Sequence, residues 1–191
     1  RTAVKQAAWL GLLGVATLAR AAVADEDTGT LRGLIIDADT GSPTPSSVAI
    51  MDAAGRVQRE SASFQDGFRC DGHFTKRLTA GTARVGVWRG FERRAVESVG
   101  SVLGRGENEN KARLERAVDL RRRGWYAGDS HAHIIHGEKT IPVDFDFVAL
   151  TARAEDLQYL SLAHAWAMNQ PTPEKLEAAL RALSRPDCVL T

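Results

Sequence analysis

Three of the five histidines in this chain lie within six positions, at His131, His133 and His136. If residues 125–135 form a strand, its period of two places His131 and His133 on one face, with Asp129 in line behind them. Two neutral imidazoles with a carboxylate and a third imidazole nearby suit a borderline divalent cation such as zinc. The pattern therefore predicts a metal site. The alternative is a surface strand that carries solvated histidines.

Composition and charge describe an ordinary globular chain. Of the 191 residues, 43% are hydrophobic and 26% are charged, which is the composition of neither a disordered nor a fibrous protein. The formal net charge is +1, but residues 1–24 contain Arg1, Lys5 and Arg20 and no acid. The remainder therefore carries 22 basic and 24 acidic residues, a balance that gives no electrostatic case for binding nucleic acid.

Residues 1–24 have the pattern of a signal peptide. Arg1 and Lys5 precede an apolar run at residues 7–19, and Ala22 and Ala24 supply small residues just before a cleavage point. The apolar run is short for a membrane span. We therefore expect an exported protein, periplasmic or extracellular, with no stable membrane span after cleavage. A retained amino-terminal anchor is the alternative.

Residues 25–120 predict an antiparallel β-sandwich. The short segments that suit strands are 31–37, 47–51, 69–74 leading into 75–78, and 82–88. Several strands at this spacing, separated by turn-forming residues and without a strong helical stretch, are typical of a small sandwich. Residues 101–110 are polar and predict a long loop, and residues 111–120 suit either a final strand or a short helix.

Residues 121–191 predict the start of a parallel α/β domain. Arginines at 121–123 are interpreted as a solvated linker into it. After the histidine strand, Phe147, Leu150, Ala154 and Leu157 lie at helical spacing. The apolar run 159–163 then predicts a second strand, which ends at His164.

The pattern then repeats. Thr172 and Pro173 suit a cap and a first helical position, residues 174–183 predict a helix, and residues 188–190 predict a third strand. Strand, helix, strand, helix, strand is typical of a β/α barrel or of an open parallel sheet.

This topology brings His164 to the other histidines. Ligand sites of parallel α/β folds lie at the carboxyl ends of the strands. His131 and His133 lie toward the end of the first predicted strand, and His164 lies at the end of the second. We therefore expect three imidazoles to converge on one rim. His164 taken alone would be interpreted as a core histidine.

The only two cysteines, Cys70 and Cys188, lie in different predicted domains. In an exported chain they permit one disulfide but do not require it. Neither belongs to a Cys-x-x-Cys pair, so we do not expect thiolate ligation of the metal.

Turn and strand pieces within residues 30–120 resemble the carboxypeptidase regulatory-like, transthyretin-like sandwich family. The matching pieces are residues 33–43, 48–55, 71–74, 78–81 and 85–90. The resemblance implies an accessory fold rather than a reaction. His73 lies inside it and is interpreted as a structural or exposed histidine.

The segment Gly128-Asp-Ser-His-Ala-His133 is followed by His164, which lies 31 positions after His133. This pattern resembles the PHP (polymerase and histidinol phosphatase) superfamily. Together with the preceding sandwich, the chain is most similar to metallohydrolases of the CehA/McbA type. The resemblance implies a distorted β/α barrel that holds two or three divalent metal ions (zinc, manganese or iron). It also implies hydrolysis of ester, amide or phosphoester bonds by metal-activated water. The implied fold class is multidomain β plus α/β, a sandwich followed by the first part of a truncated PHP-type barrel.

Residue roles follow from the same resemblance. His131 and His133 match the first metal motif, and His164 matches the histidine of the second. The residue before that histidine is usually Asp and is Ala163 here, which puts the environment of the second metal in doubt. His136 has no counterpart in the general pattern but is placed to reach the same rim. Asp129 is expected to orient an imidazole rather than to bind the metal directly.

Two functions remain in view. The leading hypothesis is a metal-dependent hydrolase acting on a small-molecule substrate, and the alternative is an exported non-catalytic binding protein with a degenerate PHP-like barrel. The later ligands of the superfamily would lie beyond Thr191. We therefore interpret the chain as a fragment truncated at both ends and expect it to be inactive alone.

Overall fold

The computed structural model describes residues 28–59, 67–102, 104–132, 145–162 and 172–191. The first part has seven strands: β1 (Thr28–Asp37), β2 (Ser46–Met51), β3 (Phe68–Cys70), β4 (His73–Thr79), β5 (Gly81–Trp88), β6 (Val96–Val102) and β7 (Glu107–Leu114). A 3₁₀ helix (Arg121–Arg123) leads to the second part: β8 (Gly128–Ala132), α1 (Phe145–Ala154), β9 (Tyr159–Leu162), α2 (Pro173–Leu183) and β10 (Val189–Leu190). Within the described ranges, neither helix has the length and apolar character needed to cross a bilayer.

The first seven strands pack as a β-sandwich. One sheet has the order β4-β1-β7 and the other has the order β3-β2-β5-β6. Because successive side chains of a strand point to opposite faces, alternate residues of both sheets meet in one hydrophobic core. Its largest fully buried apolar side chains are Ile35, Ile50, Leu78, Leu114, Val48, Val85 and Val87. The predicted β-sandwich is thus confirmed, and its proposed limits at residues 25 and 120 stay predictions.

The sandwich departs from the predicted antiparallel arrangement at β7. β1 pairs antiparallel with β4 but parallel with β7, with Thr30 opposite Glu107 and Asp37 opposite Leu114. β7 arrives from β6 in the opposite sheet and not through a hairpin from β1. Its direction is therefore free of the antiparallel constraint that a hairpin imposes.

The polar stretch at residues 101–110 is mostly strand and not the predicted long loop. β6 runs to Val102 and β7 begins at Glu107. The side-chain amides of β7 find partners within the sandwich: Asn108 Nδ2 donates to the carbonyl of Thr30 at 3.3 Å, and Asn110 Nδ2 donates to Ser98 Oγ at 2.9 Å. β7 is an edge strand, so it tolerates polar residues and lacks the apolar alternation on which a strand prediction depends.

The second part is a parallel sheet with the order β10-β9-β8. Tyr159 of β9 lies opposite Gly128 of β8 on one side and opposite Val189 of β10 on the other. The predicted start of α2 is confirmed, because Thr172 Oγ1 accepts a hydrogen bond from the Lys175 amide and Pro173 follows the cap. The strand and helix order is also confirmed. Closure into a barrel stays a prediction.

The buried face of α1 matches the predicted stripe only in part. Val148, Ala149, Ala152 and Ala154 are buried, whereas Phe147 and Leu150 are only half-buried. α1 contacts α2 within the α/β part and also contacts β2 and β3 of the sandwich. A helix that lies between two partners has no single apolar stripe, which explains the error.

A glycine beneath an aromatic ring fixes the pairing of β1 with β4. Gly33 lies directly opposite Phe74, and a Cβ built at Gly33 would lie 1.9 Å from the Phe74 ring. The ring thus fills the space of the missing side chain. Phe74 also packs edge-to-face on Phe68, with ring centroids 5.5 Å apart.

A buried carboxylate closes the turn after β2. Asp52 Oδ1 accepts hydrogen bonds from the amides of Ala54 and Arg56, and Asp52 Oδ2 accepts one from Arg56 Nε. Burial opposes ionisation of this carboxyl. The hydrogen bonds and the Arg56 charge outweigh burial and hold the pKa of Asp52 below its ordinary value.

Replacing Gly33 with alanine should lower the free energy of unfolding by about 1–3 kcal/mol, because the new methyl group overlaps the Phe74 ring. Chemical denaturation measures the change. Gly86→Ala is the control, since the nearest atom to a Cβ there is 3.9 Å away. Adding Phe74→Leu to Gly33→Ala should recover part of the loss, and no recovery would contradict the overlap as its cause.

Replacing Asp52 with asparagine should lower the free energy of unfolding at pH 7 by about 1–3 kcal/mol. The folded state favours the ionised form of Asp52, so its contribution is present above the ordinary pKa of 3.8 and is lost as the pH falls through the lower folded value. Denaturation curves across this pH range should show the difference between wild type and variant shrinking in acid. A difference that does not change with pH would contradict the role of the charge.

Candidate functional site

Two of the predicted site residues lie in β8, namely Asp129 and His131. His133, His136 and His164 lie outside the described residues. Residues 128–131 are exposed and Ala132 is half-buried. No group of three or more His, Cys, Asp or Glu side chains that could hold a metal occurs within the described ranges. Convergence of the imidazoles therefore stays a prediction.

A β-bulge interrupts β8 at the predicted site. Asp129 lies opposite Leu160 and Ala132 lies opposite Leu162, so three steps along β8 match two steps along β9. Asp129 Oδ1 accepts a hydrogen bond at 2.9 Å from the amide of His131. The extra residue lies between Asp129 and Ala132 and interrupts the period of two, and the alignment of Asp129 and His131 on one face stays a prediction. Bulges re-aim side chains and are frequent beside active sites.

The observed contact gives Asp129 a backbone role. Its carboxylate holds the His131 amide at the bulge, and the expected orientation of an imidazole by Asp129 stays a prediction. Asx-type hydrogen bonds of this kind fix the local backbone because they replace a ladder hydrogen bond. The position from which His131 presents its ring is therefore set by its neighbour two residues earlier.

The first predicted residues of this strand lie outside the sheet. Trp125 and Tyr126 are 70% and 71% exposed and precede the strand, which was expected to span residues 125–135. Gly124 adopts φ 80° and closes a turn in which the Trp125 amide donates to the carbonyl of Leu120. The strand begins only after this turn, at Gly128.

Gln158 fixes the start of β8 against the start of β9. Its backbone amide donates to the carbonyl of Ala127 at 2.8 Å, and its side-chain Oε1 accepts from the Ala127 amide at 2.7 Å. Gln158 was not among the predicted site residues, and its place directly before an apolar strand is the only signal that the sequence offers. Since the strands are parallel, this clamp also sets where Ala132 and Leu162 end side by side.

The two cysteines lie in different hydrophobic clusters. Cys70 and Cys188 are both buried and are not joined by a disulfide. Burial raises the pKa of the Cys188 thiol, and the nearby Asp187 charge raises it further. A thiol that stays protonated is a poor metal ligand, because the thiolate is the binding form.

The chain matches no family model and no curated protein. It is similar to solved structures that include the minor pilin GBS52 of Streptococcus agalactiae (14% identity, TM-score 0.40) and 3-chlorocatechol 1,2-dioxygenase of Rhodococcus opacus 1CP (14%, 0.34). A candidate carbohydrate-binding protein of Bacteroides uniformis is also similar (16%, 0.32). These matches cover 49%, 48% and 44% of this chain, which spans 46%, 60% and 40% of the three structures. At such TM-scores they do not bear on function.

Replacing Asp129 with alanine should raise the exchange rate of the His131 amide about tenfold, because a hydrogen bond to a charged acceptor contributes about 1.5–3 kcal/mol. Amide hydrogen exchange followed by NMR measures the change. Asp129→Asn keeps an acceptor oxygen and should stay closer to wild type. Equal protection in the alanine variant would show that another interaction holds the bulge.

Proposed function

We propose that this chain is the amino-terminal part of an exported metal-dependent hydrolase that cleaves ester, amide or phosphoester bonds. The observation that carries the proposal is the parallel pairing of β8 with β9. The two strands end as neighbours at Ala132 and Leu162, and the sequence continues from them with His133 and with Ala163-His164. Carboxyl ends of neighbouring parallel strands are where α/β folds build their ligand sites.

The donor chemistry suits the proposed metal. His131 lies on the exposed part of β8, and its backbone is held by Asp129. Imidazoles from His131, His133 and His164, with His136 as a further candidate, would supply borderline nitrogen ligands for zinc, manganese or iron. A bound cation of this kind supplies activated water for attack on a carbonyl or phosphoryl centre. The protein contributes the ligands and the fixed backbone at the bulge.

Metal titration tests this proposal. The chain should bind Zn²⁺ or Mn²⁺, and His131→Ala, His133→Ala and His164→Ala should each weaken binding at least tenfold, because each removes one ligand. His73→Ala is the matched control, since His73 is an exposed histidine of β4 in the sandwich. Calorimetry and metal analysis after dialysis provide the measurements. Binding that is absent, or that falls equally in the His73 variant, would contradict the proposal.

Hydrolysis provides the second part of the test. A longer protein that contains this chain should hydrolyse p-nitrophenyl acetate or p-nitrophenyl phosphate, and a chelator should abolish the activity. The 191-residue chain alone should be inactive, because the later ligands that the resemblance implies are not in its sequence. Equal activity of both forms would show that residues 1–191 already hold the full site.

The second candidate function is non-catalytic binding at the cell exterior. It is favoured by the sandwich, which has two sheets and one shared core in the described ranges and which the family resemblance implies to be an accessory fold rather than the site of a reaction. The similar solved structures have TM-scores of 0.40 and below, so they give no ground for choosing between the two functions.

Glycan binding in the presence of a chelator separates the two functions. Glycan capture that persists without metal, combined with no metal uptake, would favour the binding protein. Metal uptake that depends on the three histidines, with no glycan capture, would favour the hydrolase.

A further inference from the structure

The turn after α1 has an aspartate where its geometry favours glycine. The Asp156 amide donates to the carbonyl of Arg153 at 3.1 Å, and the Leu157 amide donates to the carbonyl of Ala152 at 2.9 Å. These are the two hydrogen bonds of a Schellman cap, in which Asp156 takes the left-handed position with φ 54°. Glycine is the usual residue there, and a side chain persists at such a position when its surroundings hold it.

The Asp156 side chain joins two other segments of the chain. Its Oδ1 lies 2.9 Å from Nη2 of Arg89, which follows β5 of the sandwich, and 3.5 Å from Nη2 of Arg121 in the 3₁₀ helix. The side chains of Asp156 and Arg89 are only 7% and 14% exposed. An ion pair this deeply buried is little screened by salt, and removing one partner leaves an uncompensated charge.

Close packing supports the same junction. A Cβ at Gly90 would lie 2.7 Å from Cβ of Asp156 and 2.8 Å from the carbonyl oxygen of Glu155. Glu155 Oε1 in turn accepts a hydrogen bond from Ser47 Oγ at 3.1 Å and pairs with Arg69 Nη2 at 3.3 Å. The sandwich thus contacts two consecutive residues of one turn, Glu155 and Asp156.

This turn lies at the amino-terminal edge of the parallel sheet. It leads directly into β9, and the Gln158 side-chain amide donates to the carbonyl of Asp156. Gln158 also holds Ala127, the residue before β8. The contact with the sandwich therefore reaches both β8 and β9 where they begin, and the strands run away from it toward their carboxyl ends.

We propose that Asp156 is a lock through which the sandwich braces the α/β part at the amino-terminal edge of its sheet. The part of the chain that the sandwich contacts here is the turn between α1 and β9. In this arrangement the order of β8 and β9 depends on the sandwich, whereas the sandwich, with its own core, does not depend on them. These contacts do not involve the carboxyl-terminal ends of the strands. The proposal does not depend on whether the protein is a hydrolase or a binding protein.

Hydrogen exchange of the full chain, measured by mass spectrometry, tests the lock. In Asp156→Asn, which tolerates the left-handed position but lacks the charge, peptides covering β8 and β9 should exchange at least tenfold faster than in wild type. Peptides covering β1, β2 and β5 should stay within twofold. Unchanged β8 and β9 peptides would overturn the proposal, and so would equal acceleration in the sandwich.

Two further variants separate the lock from simple capping and from misfolding. Asp156→Gly suits the cap but removes the carboxylate, so it should behave as Asp156→Asn does, and wild-type protection in it would overturn the lock. Arg121→Gln removes only the longer contact and should accelerate the same peptides about threefold, which gives a result even where an Asp156 variant does not fold. No acceleration in Arg121→Gln under those conditions would also overturn the lock.

Asp119→Asn is the matched control. Asp119 pairs with Arg122 at 3.2 Å in the same arginine run, but the Arg122 side chain is 88% exposed. An exposed pair contributes little. Exchange in this variant should stay within twofold of wild type throughout, and acceleration of the β8 and β9 peptides in it would count against a lock at Asp156.

Discussion

The parallel pairing of β8 with β9 is the constraint on which the α/β part depends. Gln158 makes two hydrogen bonds to Ala127 and so sets where both strands begin. Because the strands run in one direction, the amino-terminal and carboxyl-terminal ends of the sheet differ. The amino-terminal end contacts the sandwich, and the carboxyl-terminal end leads into the histidine-containing segments of the sequence. The contacts with the sandwich and the proposed metal ligands are therefore expected at opposite ends of short strands.

The small size of this sheet explains why it needs outside support. β8, β9 and β10 have five, four and two residues, and parallel sheets are usually covered on both faces. β8 is instead largely exposed. The sandwich contributes a larger core of its own and buries one side of α1 against β2 and β3. Folding of the α/β part is therefore stabilised by packing of α1 against the sandwich.

A second buried charge network holds the exit from the sandwich. Arg93 Nη2 lies 2.5 Å from Asp37 Oδ2, and Arg116 Nη1 lies 2.6 Å from Glu92 Oε2. Burial lowers the pKa of Arg93, the Asp37 charge acts in the opposite direction, and the neighbouring Arg116 lowers it again. Glu92 also accepts from the Leu120 amide. The segment that leaves the sandwich toward the 3₁₀ helix is thus anchored before the junction at Asp156 begins.

Local patterns predicted the elements whose signal is local. Strands with one buried face alternate visibly, and the cap at Thr172 marks the start of α2. The first half of β7 was predicted as a loop because an edge strand satisfies its polar side chains with partners such as Ser98. The buried face of α1 was predicted only in part because a helix with two partners has no single apolar stripe. The contacts of Asp156 and Gln158 join residues 67 and 31 positions apart in the chain, and no local pattern encodes such pairs. Of the predicted metal ligands, only His131 lies within the described ranges.

The reactivity of the two cysteine thiols depends on whether the chain is folded. Each thiol is buried, Cys70 in the sandwich core and Cys188 in the cluster beneath the α/β helices. A thiol that is shielded from solvent reacts slowly with oxidants and with disulfides. In an oxidising compartment the native chain would therefore resist cross-linking, while an unfolded one would expose both sulfurs. The rate of alkylation at each position reports opening of its own half of the molecule.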